Sequence, residues 1–114
     1  MEIVKNFFKE QNIYDENFFR IIKDRIHILP YDTPIEWFGV FPILDKDILI
    51  DIEIVVPQIV TEQNLLVNLH EFYHAYELYQ EIGRIYEDNT AKREANAINF
   101  EKAYVLSRKR KQNE

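Results

Sequence analysis

The chain contains no cysteine, and only two glycines, one methionine and one tryptophan in 114 residues. Without cysteine there is no disulfide framework, no thiol redox chemistry and no thiolate metal site. A bound metal would have to be held by histidine and carboxylate. The scarcity of glycine points to short, stiff connections. Long uncharged apolar runs are missing as well, and the first nine residues already mix Glu2, Lys5 and Lys9 with apolar side chains. Neither a signal peptide nor a membrane span is expected, and the expected compartment is the cytoplasm. An excess of positive charge is the last absence: the formal net charge is −6, which argues against general nucleic-acid binding. Arg108, Lys109, Arg110 and Lys111 are the exception. They read as a solvated helix end complementing the helix dipole, with a binding or regulatory tail from about residue 107 as the alternative.

What is present suffices for one packed domain over residues 1–114. Hydrophobic residues make up 46% and aromatic ones 14%, and no repeat or linker divides the chain. Val4, Phe7 and Phe8 recur at helical spacing and predict a helix over residues 1–11. Asp15 is a candidate N-cap for a second helix with Phe18, Phe19, Ile21 and Ile22 on its apolar face. Residues 26–29 fit an extended segment as well as a helical one, stopped by Pro30. Residues 37–41 are β-rich. In residues 48–56, Ile50, Ile52, Ile54 and Val56 alternate with Asp51, Glu53 and Val55, the period-two pattern of a half-buried strand. Asp45-Lys46-Asp47 supplies a hairpin turn, and Pro57 ends the strand. A long helix is expected from the Thr61 cap to a stop at Gly83, and a last helix from Asn89 or Thr90 into the basic run. The expected fold is α+β, with a small, mainly antiparallel sheet of about three strands.

Chemistry concentrates in His70-Glu71-Phe72-Tyr73-His74. Histidines at i and i+4 share one helix face and can reach one ion, and the intervening glutamate can serve as a general base without ligating it. At about 100° per residue, Leu65, Leu69, Phe72, Tyr76 and Tyr79 form one apolar stripe. His70 and His74 fall roughly 140–180° from its centre, with Val67 and Leu78 beside His74, as lining a cleft requires. A third ligand is expected at Glu94, on the row Ala91, Glu94, Ile98, Glu101 and Val105. With Ala97 and Tyr104 alongside, this row reads as the buried side of the last helix. A carboxylate facing a core is costly unless paired or bound to a metal. Glu101 either supports or replaces Glu94. The alternatives are pairing with Arg93 or Lys102, or a solvated row.

The motif followed by a glutamate after nineteen intervening residues resembles the gluzincin clan of metallopeptidases. With His70-Glu71-Phe72-Tyr73-His74-Ala75-Tyr76-Glu77 and Glu94-Ala95-Asn96-Ala97 in so short a chain, it is similar to the minigluzincins. The resemblance implies a minimal zincin-like domain, Zn2+ on His70, His74 and Glu94, and Glu71 as the catalytic base. It further implies a peptide or protein substrate laid along a strand above the cleft, residues 48–56 or 37–41, with narrow endopeptidase activity. Latency through the C-terminal segment and self-association into a homo-oligomer with tail exchange are implied too. One departure stands out: clan members often carry Asp four residues after the ligand Glu, and this chain has Ile98 there. Support for the metal must then come from Asn68, Asn96 or Glu101. Candidate oxyanion donors are Tyr86, His27, Tyr73 and Tyr104. The eight Phe, seven Tyr and one Trp leave scope for an adhesive surface. A catalytically silent zinc-binding regulatory protein is the competing reading, and Glu71 separates the two, because a site that only holds metal needs no base. A purely structural helical protein without metal is the third.

Overall fold

Local signals fix most of the elements. In the computed structural model, which describes residues 1–112, helix α1 (Glu2–Glu10) buries Val4, Phe7 and Phe8 on one face. Helix α2 (Glu16–Ile22) starts at Asp15, whose side chain accepts from the Phe18 amide at 3.1 Å. A short 3-10 turn leads into strand β1 (Ile26–Leu29). A second such turn, Ile35–Trp37, keeps Trp37 out of the sheet, so strand β2 is Gly39–Asp45, later than the β-rich residues had indicated. Lys46 and Asp47, at φ 51° and 67°, form the tight turn to strand β3 (Ile48–Pro57). Two positive φ values in a two-residue loop match the right-handed twist of the flanking strands.

The sheet is small and mixed, in the order β1-β3-β2. Strand β2 runs antiparallel to β3, and β1 runs parallel to it. The antiparallel pairing therefore covers only one side of the central strand, because the chain crosses over from β1 before β3 forms. The alternation expected in β3 holds for Ile52, Ile54 and Val56, all buried, but fails at Ile50, which is 50% exposed while Leu49 is fully buried. The register explains it. Ile43 faces Asp51 and the next residue, Leu44, faces Leu49, so Ile50 is the extra residue of a bulge and the strand switches face there.

Helix α3 (Glu62–Tyr79) opens with a reciprocal cap: Thr61 Oγ1 accepts from the Asn64 amide and the Asn64 side chain accepts from the Thr61 amide. It ends at Tyr79, earlier than Gly83 had implied. Gly83 (φ 92°) instead turns the chain so that residues 83–86 lie along the start of β3. Its amide donates to Leu49, the Leu49 amide to Arg84, and the Tyr86 amide to Asp47. Helix α4 (Thr90–Gln112) follows.

The core lies between one face of the sheet and the helices. Phe8 meets Phe19, Phe100 and Tyr76 at ring separations of 5.0, 5.1 and 5.6 Å, and Phe7 packs on Phe100 and Tyr104. The apolar stripe of α3 faces this cluster. Leu65, Leu69 and Phe72 are buried, and the rings of Tyr76 and Tyr79 pack on Phe18. That orientation turns His70 and His74 away from the core. Among the described residues no helix is long and apolar enough to cross a membrane.

Candidate metal centre

The outward face of α3, the first half of α4 and strand β2 enclose a cleft of about 530 Å³. His70, Glu71 and His74 enter it from α3, Glu94 and Glu101 from α4, and Val40 and Pro42 from β2. Helix α4 does not bury the row that carries Glu94. Its buried residues are Ala97, Phe100 and Tyr104, while Glu94, Ile98 and Glu101 line the cleft and Ile98 is 38% exposed. The expectation of core-facing carboxylates is corrected accordingly. The aromatic cluster claims the neighbouring face, which leaves this row to the open side.

Four side chains converge in the cleft. His70 Nε2 lies 3.0 Å from one Glu94 carboxylate oxygen, and His74 Nε2 lies 3.1 Å from the other. The two Nε2 atoms are themselves 3.1 Å apart. His70, Glu71 and His74 each offer a potential ligand atom within 4.8 Å of the others. Neither Arg93 nor Lys102 is the partner of Glu94. Arg93 makes a bidentate pair with Glu81 at 2.5 and 3.0 Å.

Glu101 completes the arrangement, accepting from His70 Nδ1 at 2.9 Å. A carboxylate can only accept, so Nδ1 carries the proton and, in the neutral ring, the Nε2 lone pair faces the centre. Of the three residues proposed to support the histidines, Glu101 alone touches one. Asn68 donates to the carbonyls of Pro57 and Asn64, and Asn96 donates to Glu77 at 2.9 Å.

The charges are unbalanced in a way that favours a cation. Burial lifts the Glu71 carboxyl to a pKa of about 7, with the nearby Glu94 and Glu101 adding to the rise and His70 opposing it. At His70 burial works against protonation, but the Glu101 hydrogen bond and the charges of Glu71, Glu94 and Glu101 outweigh it, so its pKa is raised. At His74 burial and the His70 charge prevail over Glu94, and its pKa is lowered. Three carboxylates around two imidazoles leave excess negative potential.

Of the four candidate oxyanion donors, only Tyr86 lines the cleft. His27 pairs with Glu53 on β3 at 2.5 Å, the Tyr73 ring packs 4.7 Å from Phe100, and Tyr104 sits 5.2 Å from Phe7 in the core. Of the apolar wall of Ile35, Phe38 and Val40, the last two fall in the 37–41 stretch expected above the cleft, and sequence reasoning missed Ile35. Ile35 lies in a single 3-10 turn after Pro34, too short to carry a periodicity, so no sequence signal pointed to it.

Fold and site together define a small α+β domain with a His-Glu-His group at metal-binding distance in a cleft between two helices. The chain matches no family model, no curated protein and no solved structure.

Proposed function

We propose that this protein is a zinc-dependent metallopeptidase of the gluzincin type, using His70, His74 and Glu94 as ligands and Glu71 as the base. The observation that carries the reading is the convergence of both Nε2 atoms and the Glu94 carboxylate at 3.0–3.1 Å. Ligands about 2.0–2.1 Å from a tetrahedral zinc stand roughly 3.3–3.4 Å from one another, so this donor set fits the ion with a slight expansion. Zinc held there would supply Lewis-acid polarisation of a scissile carbonyl and would acidify water.

The chain's own residues do the rest. Glu71, beside the first ligand and free of any ion pair with a basic side chain among the described residues, can take a proton and return it to the leaving amine, and a bound cation would favour the carboxylate form that this needs. Tyr86 offers a phenolic donor to a developing oxyanion. Strand β3 is flanked on both sides, so backbone pairing with a peptide falls to the outer strand β2, which lines the cleft. Helix α4 continues to Gln112, and its end pairs with α1 through Arg108 and Lys111 on Glu10. That placement supports a cleft open to peptide in the single chain, with regulation by the tail or by self-association as a further layer.

Glu71→Ala tests the reading against a silent zinc-binding protein. The variant should keep wild-type zinc content and lose hydrolysis of a broad peptide library by at least about a hundredfold. Equal hydrolysis by variant and wild type would remove the enzyme reading. A wild-type chain that binds zinc and cleaves nothing would favour the regulatory alternative.

A further inference from the structure

The two histidines and Glu94 stand on different helices, so the register between α3 and α4 decides whether the three ligands meet. The antiparallel pair carries a ladder of polar contacts. His70 meets Glu101, and His74 meets Glu94. Beyond the site, Glu77 meets Asn96 at 2.9 Å and Glu81 meets Arg93 at 2.5 and 3.0 Å. Arg93 also donates to the carbonyl of Glu87 at 3.2 Å, and its guanidinium lies 5.9 Å from the Tyr86 ring. One side chain thus ties the connection that follows α3, from Glu81 just past the helix to Glu87, to the first turn of α4.

Glu94 sits between the two tied residues, Arg93 and Asn96, yet its own side chain is 48% exposed and lacks a packed surround. Its carboxylate can be no better placed than the helical turn beneath it. Arg93 is 13% exposed and held by a planar fork, which makes it a stiff anchor rather than a loose surface pair.

We infer that Arg93 with Glu81, seconded by Asn96 with Glu77, is a latch that positions Glu94 against the two histidines. This rests on the metal reading above. Arg93 and Asn96 are positioning residues that never touch the ion.

The test is a double-mutant cycle read by Zn2+ affinity, in competition with a chromophoric chelator. Arg93→Met should weaken zinc binding about ten- to a hundredfold, the range found for supports of metal ligands. In a Glu94→Ala background the same substitution should change nothing further, because the latch acts only through Glu94. The charge swap Glu81→Arg with Arg93→Glu should recover most of the lost affinity. Wild-type affinity in Arg93→Met would overturn the inference, as would an equal loss in both backgrounds, the mark of a general structural role. If Arg93→Met fails to fold, Asn96→Ala enters the same cycle, with a smaller loss expected that again vanishes without Glu94. A wild-type chain that takes up no zinc would remove the metal reading itself, a result distinct from failure of the latch.

Discussion

His70 and His74 share a helix face but not an environment. Glu101 accepts from one ring at 2.9 Å, while burial and the neighbouring His70 charge hold the other ring's pKa down. A carboxylate behind a ligating imidazole fixes its tautomer and raises its basicity. Glu101→Leu should therefore lower Zn2+ affinity about ten- to a hundredfold, and Glu101→Gln, which can still accept, should lose less. Chelator competition checks both, and unchanged affinity in the leucine variant would show that packing alone orients His70. Much of this was legible in the sequence. The spacing of His70, Glu71 and His74 gave the face, and Glu94 and Glu101 lay on one row. Their partners were not legible, since a helical wheel gives direction without distance. Arg93, adjacent to Glu94, was as plausible a partner for it as for Glu81 until the helices were placed together.

Among the elements, caps and turns were the readable features because each is set by a few adjacent residues. Asp15, Thr61 and the Lys46-Asp47 turn all perform as their types dictate. The bulge at Ile50 was not readable. Nothing in an Ile-Asp-Ile-Glu repeat marks where two residues must oppose one, and Leu49 enters the core only because the register slips. Gly83 likewise signalled a positive φ correctly, but in a turn past the helix rather than at its cap. Next to the bulge, Arg25 binds Asp51 at 2.5 Å and joins the turn after α2 to β3. The Arg25 hydrogen bond holds the Asp51 carboxyl below its usual range. The folded chain thus takes up that proton less readily than the unfolded one. The stabilisation is complete above the unfolded pKa of about 3.9 and fades as pH falls through the lower folded value. Asp51→Asn should lower the urea midpoint modestly near neutrality, as a partly solvated pair implies. Variant and wild type should converge as the pH drops below that window. A difference constant across pH would show that the pair contributes nothing through ionisation.

Across the whole molecule, most of the aromatic residues that might have made an adhesive exterior are spent internally, bringing α1, α2, α3 and α4 together around Phe8. Trp37, Tyr31 and Phe41, 63%, 51% and 50% exposed, are the main exceptions. Composition could count aromatic rings but not assign them to an interior. The basic run has the place of a helix end, with Arg108 and Lys111 on Glu10 and the Arg108 guanidinium 4.6 Å from the Tyr104 ring. The final two residues of the expected tail lie outside the described residues. Truncation after Leu106 should leave zinc affinity unchanged, since none of the described residues it removes lines the cleft. Thermal stability should fall by only a few degrees, because the exposed ion pairs it deletes are worth about 0–1 kcal/mol each. Calorimetry and zinc titration check this, and a gain in peptide hydrolysis on truncation would reinstate the tail as an inhibitor.

The division of ligands between two helices also bears on time. Glu94 belongs to the opening turns of α4, and helix ends open far more often than the structure as a whole unfolds. The Arg93–Glu81 pair holds that end in place, so an ion seated in the cleft would leave when the pair parts and the end frays, while Phe100 and Tyr104 stay packed. Its residence time would follow the local exchange rates of the amides near Ala91 and Glu94, not the global unfolding rate. Hydrogen exchange confined to those few amides would then act as a clock for metal release.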